Sequence, residues 1–206
     1  MIKALLIVVW LMLISSGVSA NDEWPMFRGI DAGVATDHPD LPEHWSETEN
    51  VVWKVDIPGL GWSSPIIWGD HVFVTTAISD GEEPQPVKGL YDPGNAHGKT
   101  DAVAGHRWMV YDIDLQTGEI RWERELRTAS PTIKRHLKAS FASETPVTDG
   151  ERVYVYFGSI GLVAALDMTG TVLWAHDLGA FNGHQEFAPA ASPVLHEDRL
   201  YVVNDN

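Results

Sequence analysis

One polar segment of the chain has the residue types that bind a divalent cation. Carboxylate, amide and imidazole side chains occur close together in a stretch rich in glycine and proline, and oxygen ligands of this kind coordinate divalent ions. They are Asp92, Asn95, His97, Asp101 and His106. Their spacing matches no known metal-binding loop. The pattern therefore favours a solvated excursion on one rim of the fold over a metal site.

Two other polar clusters lie in connections between predicted strands. His184, Gln185 and Glu186 follow a glycine and could act as an acid–base pair facing a central opening. A basic run within an acidic chain could hold an anionic group, and it comprises Lys134, Arg135, His136 and Lys138, followed by Ser140 and Ser143. The alternative for both clusters is an ordinary loop with solvated charges, and the sequence favours that interpretation.

Two acidic sites are predicted to serve turns. The segment from His196 to Asp198 is the counterpart of the Gly69–Asp70 turn, so we assign it no chemistry. Asp112 and Asp114 stand beside another turn, where Asp side chains commonly accept hydrogen bonds from backbone N–H groups. We therefore expect both carboxylates to cap backbone donors.

The charge and composition exclude several functions. The formal net charge is −15 at pH 7, and such a surface repels phosphate backbones and anionic lipid, so we expect no nucleic-acid partner. The chain contains no cysteine, which excludes disulfides, thiolate nucleophiles, Cys-ligated zinc and covalent c-type haem within this segment. Stability must come from packing, for which nine tryptophans and 44% apolar residues are ample.

Residues 1–20 have the pattern of a secretory signal. Lys3 is followed by an apolar run from Ala4 to Ile14, and Val18-Ser19-Ala20 places small side chains at a cleavage site. The run is short for a membrane span, although an uncleaved anchor is the alternative. Asn21 stands where a lipoprotein would need cysteine. We expect a mature protein without a membrane span, periplasmic or secreted.

The mature chain is predicted to contain only strands. Residues 21–50 are an irregular lead-in anchored by aromatic side chains, and residues 51–206 follow with a polar insertion at 78–105. Short apolar and β-branched runs separated by turn residues predict the strands, and no stretch has sustained helical periodicity. They are 51–57, 64–68, 72–76, 108–113, 119–126, 146–148, 153–157, 162–166, 171–176, 192–195 and 200–203.

These strands repeat one unit. Each unit begins with a small residue and proline, at Pro65, Pro146 and Pro193, and continues through an acidic turn into a β-branched strand. A second turn then carries an aspartate, a glycine and, four residues later, a tryptophan. Its two copies are Asp114, Thr117, Gly118 and Trp122, and then Asp167, Gly170 and Trp174. The glycine can adopt positive φ and close a tight hairpin.

The repeat predicts an all-β propeller that is incomplete in this chain. Four strands in about 40–50 residues is the size of a propeller blade, and strands that are apolar on both faces suit packing between neighbouring blades. About two and a half blades are present, with Trp122 and Trp174 at equivalent positions. The strand at 51–57 would complete a final blade. We therefore expect the segment alone to be aggregation-prone or only partly folded, because its last edge is open.

The motifs resemble those of a known family. Asp114, Thr117, Gly118 and Trp122 are similar to the tryptophan-docking repeat of quinoproteins, and the second copy is one residue shorter before its glycine. The opening Trp24-Pro25-Met26-Phe27-Arg28-Gly29 resembles the start of bacterial propellers with pyrroloquinoline-quinone-like (PQQ-like) repeats. That family includes quinone-dependent dehydrogenases, the outer-membrane assembly factor BamB and propellers without an assigned reaction.

The resemblance implies three functional hypotheses. The first is a binding or scaffold module outside the cytoplasm, whose partner is an unknown protein or small molecule. The second is a PQQ-dependent sugar or alcohol dehydrogenase, which would need a quinone pocket, a calcium site and a catalytic aspartate. None of these can be placed on the sequence, so no cofactor is assigned, although the full-length protein could bind PQQ with calcium. The third is a BamB-like assembly factor.

Overall fold

The computed structural model describes residues 23–34, 39, 41–82, 99–100, 104–136, 138–181 and 187–204. The predicted signal at 1–20 lies outside these residues. So do four residues of the candidate metal segment, namely Asp92, Asn95, His97 and Asp101, and the cluster 184–186. Those predictions stay predictions. The part that is described contains no helix long and apolar enough to cross a membrane.

The described chain is built from strands. In order they are β1 (Ile66–Trp68), β2 (His71–Ser79), β3 (Lys99–Thr100), β4 (His106–Asp114), β5 (Ile120–Ala129), β6 (Arg135–His136), β7 (Val147–Thr148), β8 (Arg152–Phe157), β9 (Leu162–Asp167), β10 (Val172–Asp177), β11 (Val194–His196) and β12 (Arg199–Tyr201). Ten of them lie where the sequence predicts strands, and β3 with β6 form a separate short pair.

The strands form the predicted blades. The first blade has the order β1-β2-β4-β5, the second has β7-β8-β9-β10 in the same antiparallel succession, and β11 with β12 begin a third. Strands β1, β7 and β11 lie next to one another, whereas β5 and β10 are largely exposed. The inner edges of the blades are therefore β1, β7 and β11, and the outer edges are β5 and β10.

Both faces of the second blade are packed, as the sequence predicts. On one face Val153, Val155 and Phe157 join a buried cluster with residues of the first blade, such as Phe73 and Trp108. On the opposite face a smaller cluster contains Val147, Tyr154 and Ala165, against which Trp174, Leu195 and Leu200 pack. Strand β8 is buried on both sides because it lies between two neighbouring units, and the core of this fold is the space between blades.

The predicted strand at residues 51–57 is wrong. The structure assigns no strand to that segment. Alternating apolar residues favour an extended backbone, yet a strand also needs a neighbour with which to exchange hydrogen bonds. The segment is held instead through Trp53, whose indole Nε1 donates a hydrogen bond to the Leu115 carbonyl at 2.8 Å.

The predicted insertion at 78–105 begins within a strand. Strand β2 continues to Ser79, so the first two residues of the insertion belong to the sheet.

Candidate functional site

The junction between the first two blades is formed by a tryptophan and a glycine. Trp122 on β5 lies over Gly170 in the β9–β10 turn, so closely that a methyl group on Gly170 would stand 2.7 Å from the ring. The indole Nε1 of Trp122 donates to the Met168 carbonyl at 3.0 Å, and Gly170 has a φ of +82°. The ring therefore requires glycine at this turn, for space as well as for backbone conformation.

The same junction occurs one unit earlier. A methyl group on Gly118 would lie 2.6 Å from the Trp53 ring, and the φ of Gly118 is +75°. Trp174 holds the same sheet position as Trp122, because Trp122 is opposite Asp112 and Trp174 is opposite Ala165, each two residues before the aspartate of its turn. The ring of Trp174 lies beside Tyr154, with ring centroids 6.2 Å apart, and faces the third unit.

The aspartates of the repeated motif close the turns. The Asp114 carboxylate accepts hydrogen bonds from the N–H groups of Gln116 and Thr117, both at 2.9 Å, and it pairs with Arg121. The bond from Arg121 is the main cause that lowers the pKa of Asp114 to about 2. This confirms that Asp114 caps backbone donors.

The shorter copy of the motif closes its turn differently. Asp167 accepts from the hydroxyl and N–H of Thr169, at 2.7 and 2.9 Å, and from the N–H of Thr171 at 2.9 Å. The hydroxyl bond from Thr169 is the largest cause of a lowered pKa at Asp167. Two threonines thus provide the donors that Gln116, Thr117 and Arg121 provide at Asp114.

The expectation that Asp112 also caps backbone donors is wrong. Asp112 is fully buried, and its Oδ2 lies 2.8 Å from the Nδ1 atom of His71. Burial raises the pKa of Asp112, and the hydrogen bond from His71 opposes that effect. The Arg121 guanidinium lies 3.3 Å from the other ring nitrogen of His71. Asp112 lies within β4, between two blades, where a ring nitrogen reaches it and the turn amides do not.

A chain of hydroxyl groups connects the starts of the units. The Thr145 Oγ1 accepts a hydrogen bond from the Ser64 N–H at 2.9 Å, and the Ser192 Oγ accepts from the Thr145 N–H at 3.0 Å. These are the small residues that precede proline in the repeat. The sequence contained this signal, but its role becomes visible only when consecutive inner edges lie side by side. In both cases the hydroxyl accepts a hydrogen bond from the backbone N–H of the equivalent residue in the preceding unit. The proline that follows has no N–H and could not donate such a bond.

Sequence reasoning missed one buried acid beside this chain of hydroxyls. Glu144 is 2% exposed, and its two carboxyl oxygens accept hydrogen bonds from Gly158 N–H at 2.8 Å and Ser143 N–H at 3.1 Å. Burial raises the pKa of Glu144 to about 8, although these N–H groups act in the opposite direction. No pattern in the sequence separates this glutamate from the many exposed ones.

The raised pKa of Glu144 makes stability depend on pH. The folded protein holds this proton more tightly than the unfolded chain, in which the pKa is near 4.5. The contribution to stability is therefore complete below about pH 4.5 and is lost as the pH rises toward 8. Through its two accepted hydrogen bonds, Glu144 joins the turn after β8 to the connection before β7.

The basic run is only partly solvated. Arg135 is 1% exposed, its guanidinium donates to the Ala139 carbonyl at 2.8 Å, and it lies 5.6 Å from the centre of the Phe141 ring. The interpretation of the whole run as solvated charges is therefore wrong at Arg135. Its neighbours fold the connection as well, since His136 Nδ1 accepts from the Lys138 N–H at 3.1 Å.

Ser140 and Ser143 are also used within the chain. The Ser143 hydroxyl donates to the Ser140 carbonyl at 3.0 Å, and the Ser140 hydroxyl accepts from the Ala142 N–H at 3.1 Å.

His106, the described member of the candidate metal segment, is buried in β4 with its ring edge-on to Phe141 and the ring centroids 5.0 Å apart. Glu197 and Asp198 form the predicted β11–β12 turn, whereas His196 is the last residue of β11 and pairs with Arg199.

Comparison with known proteins identifies the family. A family model described as outer membrane protein assembly factor BamB matches residues 31–206. The chain belongs to this family of PQQ-like repeat proteins. Membership agrees with the tryptophan–glycine junctions and with the four-stranded antiparallel blades, and it confirms the predicted all-β propeller. No curated protein matches the chain.

The described part of this propeller does not fit a quinone–calcium site. No group of three His, Cys, Asp or Glu side chains that could hold a metal ion occurs within it. The carboxylates with lowered pKa values, such as Asp114 and Asp167, already accept hydrogen bonds from their own turns. We therefore derive no catalytic step through PQQ from these residues.

Proposed function

We propose that this protein is an extracytoplasmic scaffold, a propeller that binds another macromolecule and performs no reaction of its own. The match of residues 31–206 to the BamB family model carries the proposal. The model's printed description names an outer membrane protein assembly factor. The pattern of an export signal at 1–20 is consistent with action outside the cytoplasm.

Side chains suited to binding lie in the lead-in and in the two residues that follow it. Trp45 is 71% exposed, Val52 is 89% exposed and Phe27 is 51% exposed. Exposed aromatic and aliphatic side chains anchor protein–protein interfaces, and the acidic background adds selectivity against anionic partners. We therefore place the first test of binding on the segment from Trp45 to Val52.

The export part of the proposal is tested on the full-length chain. We expect mature protein that begins at Asn21 in the periplasmic or secreted fraction, measured by N-terminal sequencing after fractionation. The matched control is Ala20→Arg, which removes the small residue before the predicted cleavage site and should block processing. An intact Met1 in the membrane fraction of the unaltered protein would overturn this part.

The binding part is tested by photo-crosslinking in cells. A photoreactive amino acid at Trp45 should give a discrete crosslinked product, whereas the same group at the exposed Asp70 turn should give none. A Trp45→Ala competitor chain should fail to suppress that product, and the unaltered competitor should suppress it. Equal products from both positions, or none from either, would contradict a binding surface at the lead-in.

The family description favours assembly of outer-membrane proteins as the specific role, and the dehydrogenase is the alternative. Deletion of the gene should lower the level of outer-membrane β-barrel proteins, and the full-length gene should restore it. Titration of the purified protein with PQQ and Ca²⁺, followed by alcohol- or sugar-dependent dye reduction, measures the alternative. Dye reduction that requires PQQ would replace the scaffold by an oxidoreductase.

A further inference from the structure

The lead-in contacts the inner edges of the propeller. The N–H of Trp24 donates to the carbonyl of Ile67 at 2.9 Å, and the N–H of Ile67 donates to the carbonyl of Trp24 at the same distance. Ile67 is in β1, whose other edge is already paired with β2. Trp24 therefore adds to the free inner edge of the first blade.

The next two residues continue to the following units. The N–H of Thr148, in β7, donates to the carbonyl of Pro25 at 2.9 Å. Met26 packs against the cluster of Val147 and Tyr154, which Leu195 and Leu200 of the third unit also contact. Three consecutive residues thus contact the first blade, the second blade, and the cluster between the second and third.

The conformation of the segment is specified by its own sequence. Gly29 is buried with a φ of +65°, and a methyl group there would lie 2.6 Å from the Trp24 ring. The Gly29 N–H donates to the Met26 carbonyl at 2.9 Å, which turns the chain back over Trp24. Pro25 contributes a carbonyl at an inner edge and has no N–H that would be left unpaired.

We propose that residues 24–29 are an axial strap: a short edge segment that joins consecutive blades at their inner edges and fills the axis at the end that carries the Gly69 and Gly150 turns. The inner edges of blades line the central channel, and their unpaired N–H and C=O groups need partners. The strap provides partners for Ile67 and Thr148. The proposal concerns how the ring is held, so it stands whether or not the scaffold role is correct.

Hydrogen exchange on the full-length protein tests the strap. Gly29→Val should displace it, because the added side chain overlaps Trp24. Gly33→Val is the matched control, since Gly33 also has positive φ, at +94°, and its nearest contacts would be an ordinary 3.7 Å. We expect the amides of Ile67 and Thr148 to exchange at least about tenfold faster in Gly29→Val than in Gly33→Val, while amides of β9 keep their rates. Equal exchange in the two variants would overturn the strap.

A disulfide test decides the question if Gly29→Val fails to fold. The chain has no native cysteine. Because Trp24 and Ile67 exchange both hydrogen bonds, their Cα atoms should be about 5.5 Å apart, within the range of a disulfide. Trp24→Cys with Ile67→Cys should crosslink under oxidation. Trp24→Cys with Trp68→Cys, whose side chains lie on opposite faces, should not. Equal yields from both pairs would overturn the proposal.

Discussion

The clearest test of the blade junction is Gly170→Ala. The methyl group would lie 2.7 Å from Cδ2 of Trp122, well inside a normal carbon–carbon contact of about 3.5–4.0 Å. Overpacking of this kind costs about 1–3 kcal/mol. A non-glycine residue at positive φ costs about 1–2 kcal/mol more. We expect the free energy of unfolding to fall by about 2–5 kcal/mol.

Gly179→Ala separates the two causes. Gly179 has a φ of +77°, close to that of Gly170, and a methyl group there would meet nothing within 4 Å. Only the conformational cost of about 1–2 kcal/mol should remain. The difference between the two variants, about 1–3 kcal/mol, measures the contact with Trp122.

The assay is urea unfolding of the full-length protein, carried out as a double-mutant cycle. In a Trp122→Ala background the ring is absent, so Gly170→Ala should cost no more than Gly179→Ala does in the unaltered protein. The reasoning is refuted if Gly170→Ala and Gly179→Ala destabilise equally, or if the cost of Gly170→Ala persists without the ring.

Three further changes probe the contacts between units. Thr145→Val leaves the Ser64 N–H without its acceptor and should lower the free energy of unfolding in urea by about 1–3 kcal/mol. Thr145→Ser keeps a hydroxyl acceptor and should lose much less stability. Glu144→Gln should remove the pH dependence that this carboxyl gives to stability. Between pH 5 and 8 the free energy of unfolding of the unaltered protein, relative to that of the variant, should fall by at most about 1.4 kcal/mol per pH unit. A difference that stays constant across this range would contradict a raised pKa of Glu144. Arg127→Ala breaks a partly exposed pair with Asp177 and should change the melting temperature little, since such pairs contribute about 0–1 kcal/mol, so a large loss would show a stronger link between the outer strands.

The sequence determined the local structure of this protein. Strands β8 and β9 and their turns were predictable because apolar alternation and turn residues act over a few neighbouring positions. The capping role of Asp114 followed for the same reason, since its donors are two and three residues away. The repeat of these local signals then predicted the blades and their number.

Only the tertiary structure decided which distant groups meet. Asp112 stands two residues from Asp114, yet its partner is His71 on another strand. Residues 51–57 have a strand pattern without a strand, because pairing needs a neighbour that the pattern cannot supply. The hydroxyl of Thr145, the buried acid Glu144 and the Trp24 strap depend on inner edges of different units lying side by side. Periodicity specifies which secondary structure each segment favours, whereas packing between blades decides which buried donor pairs with which acceptor.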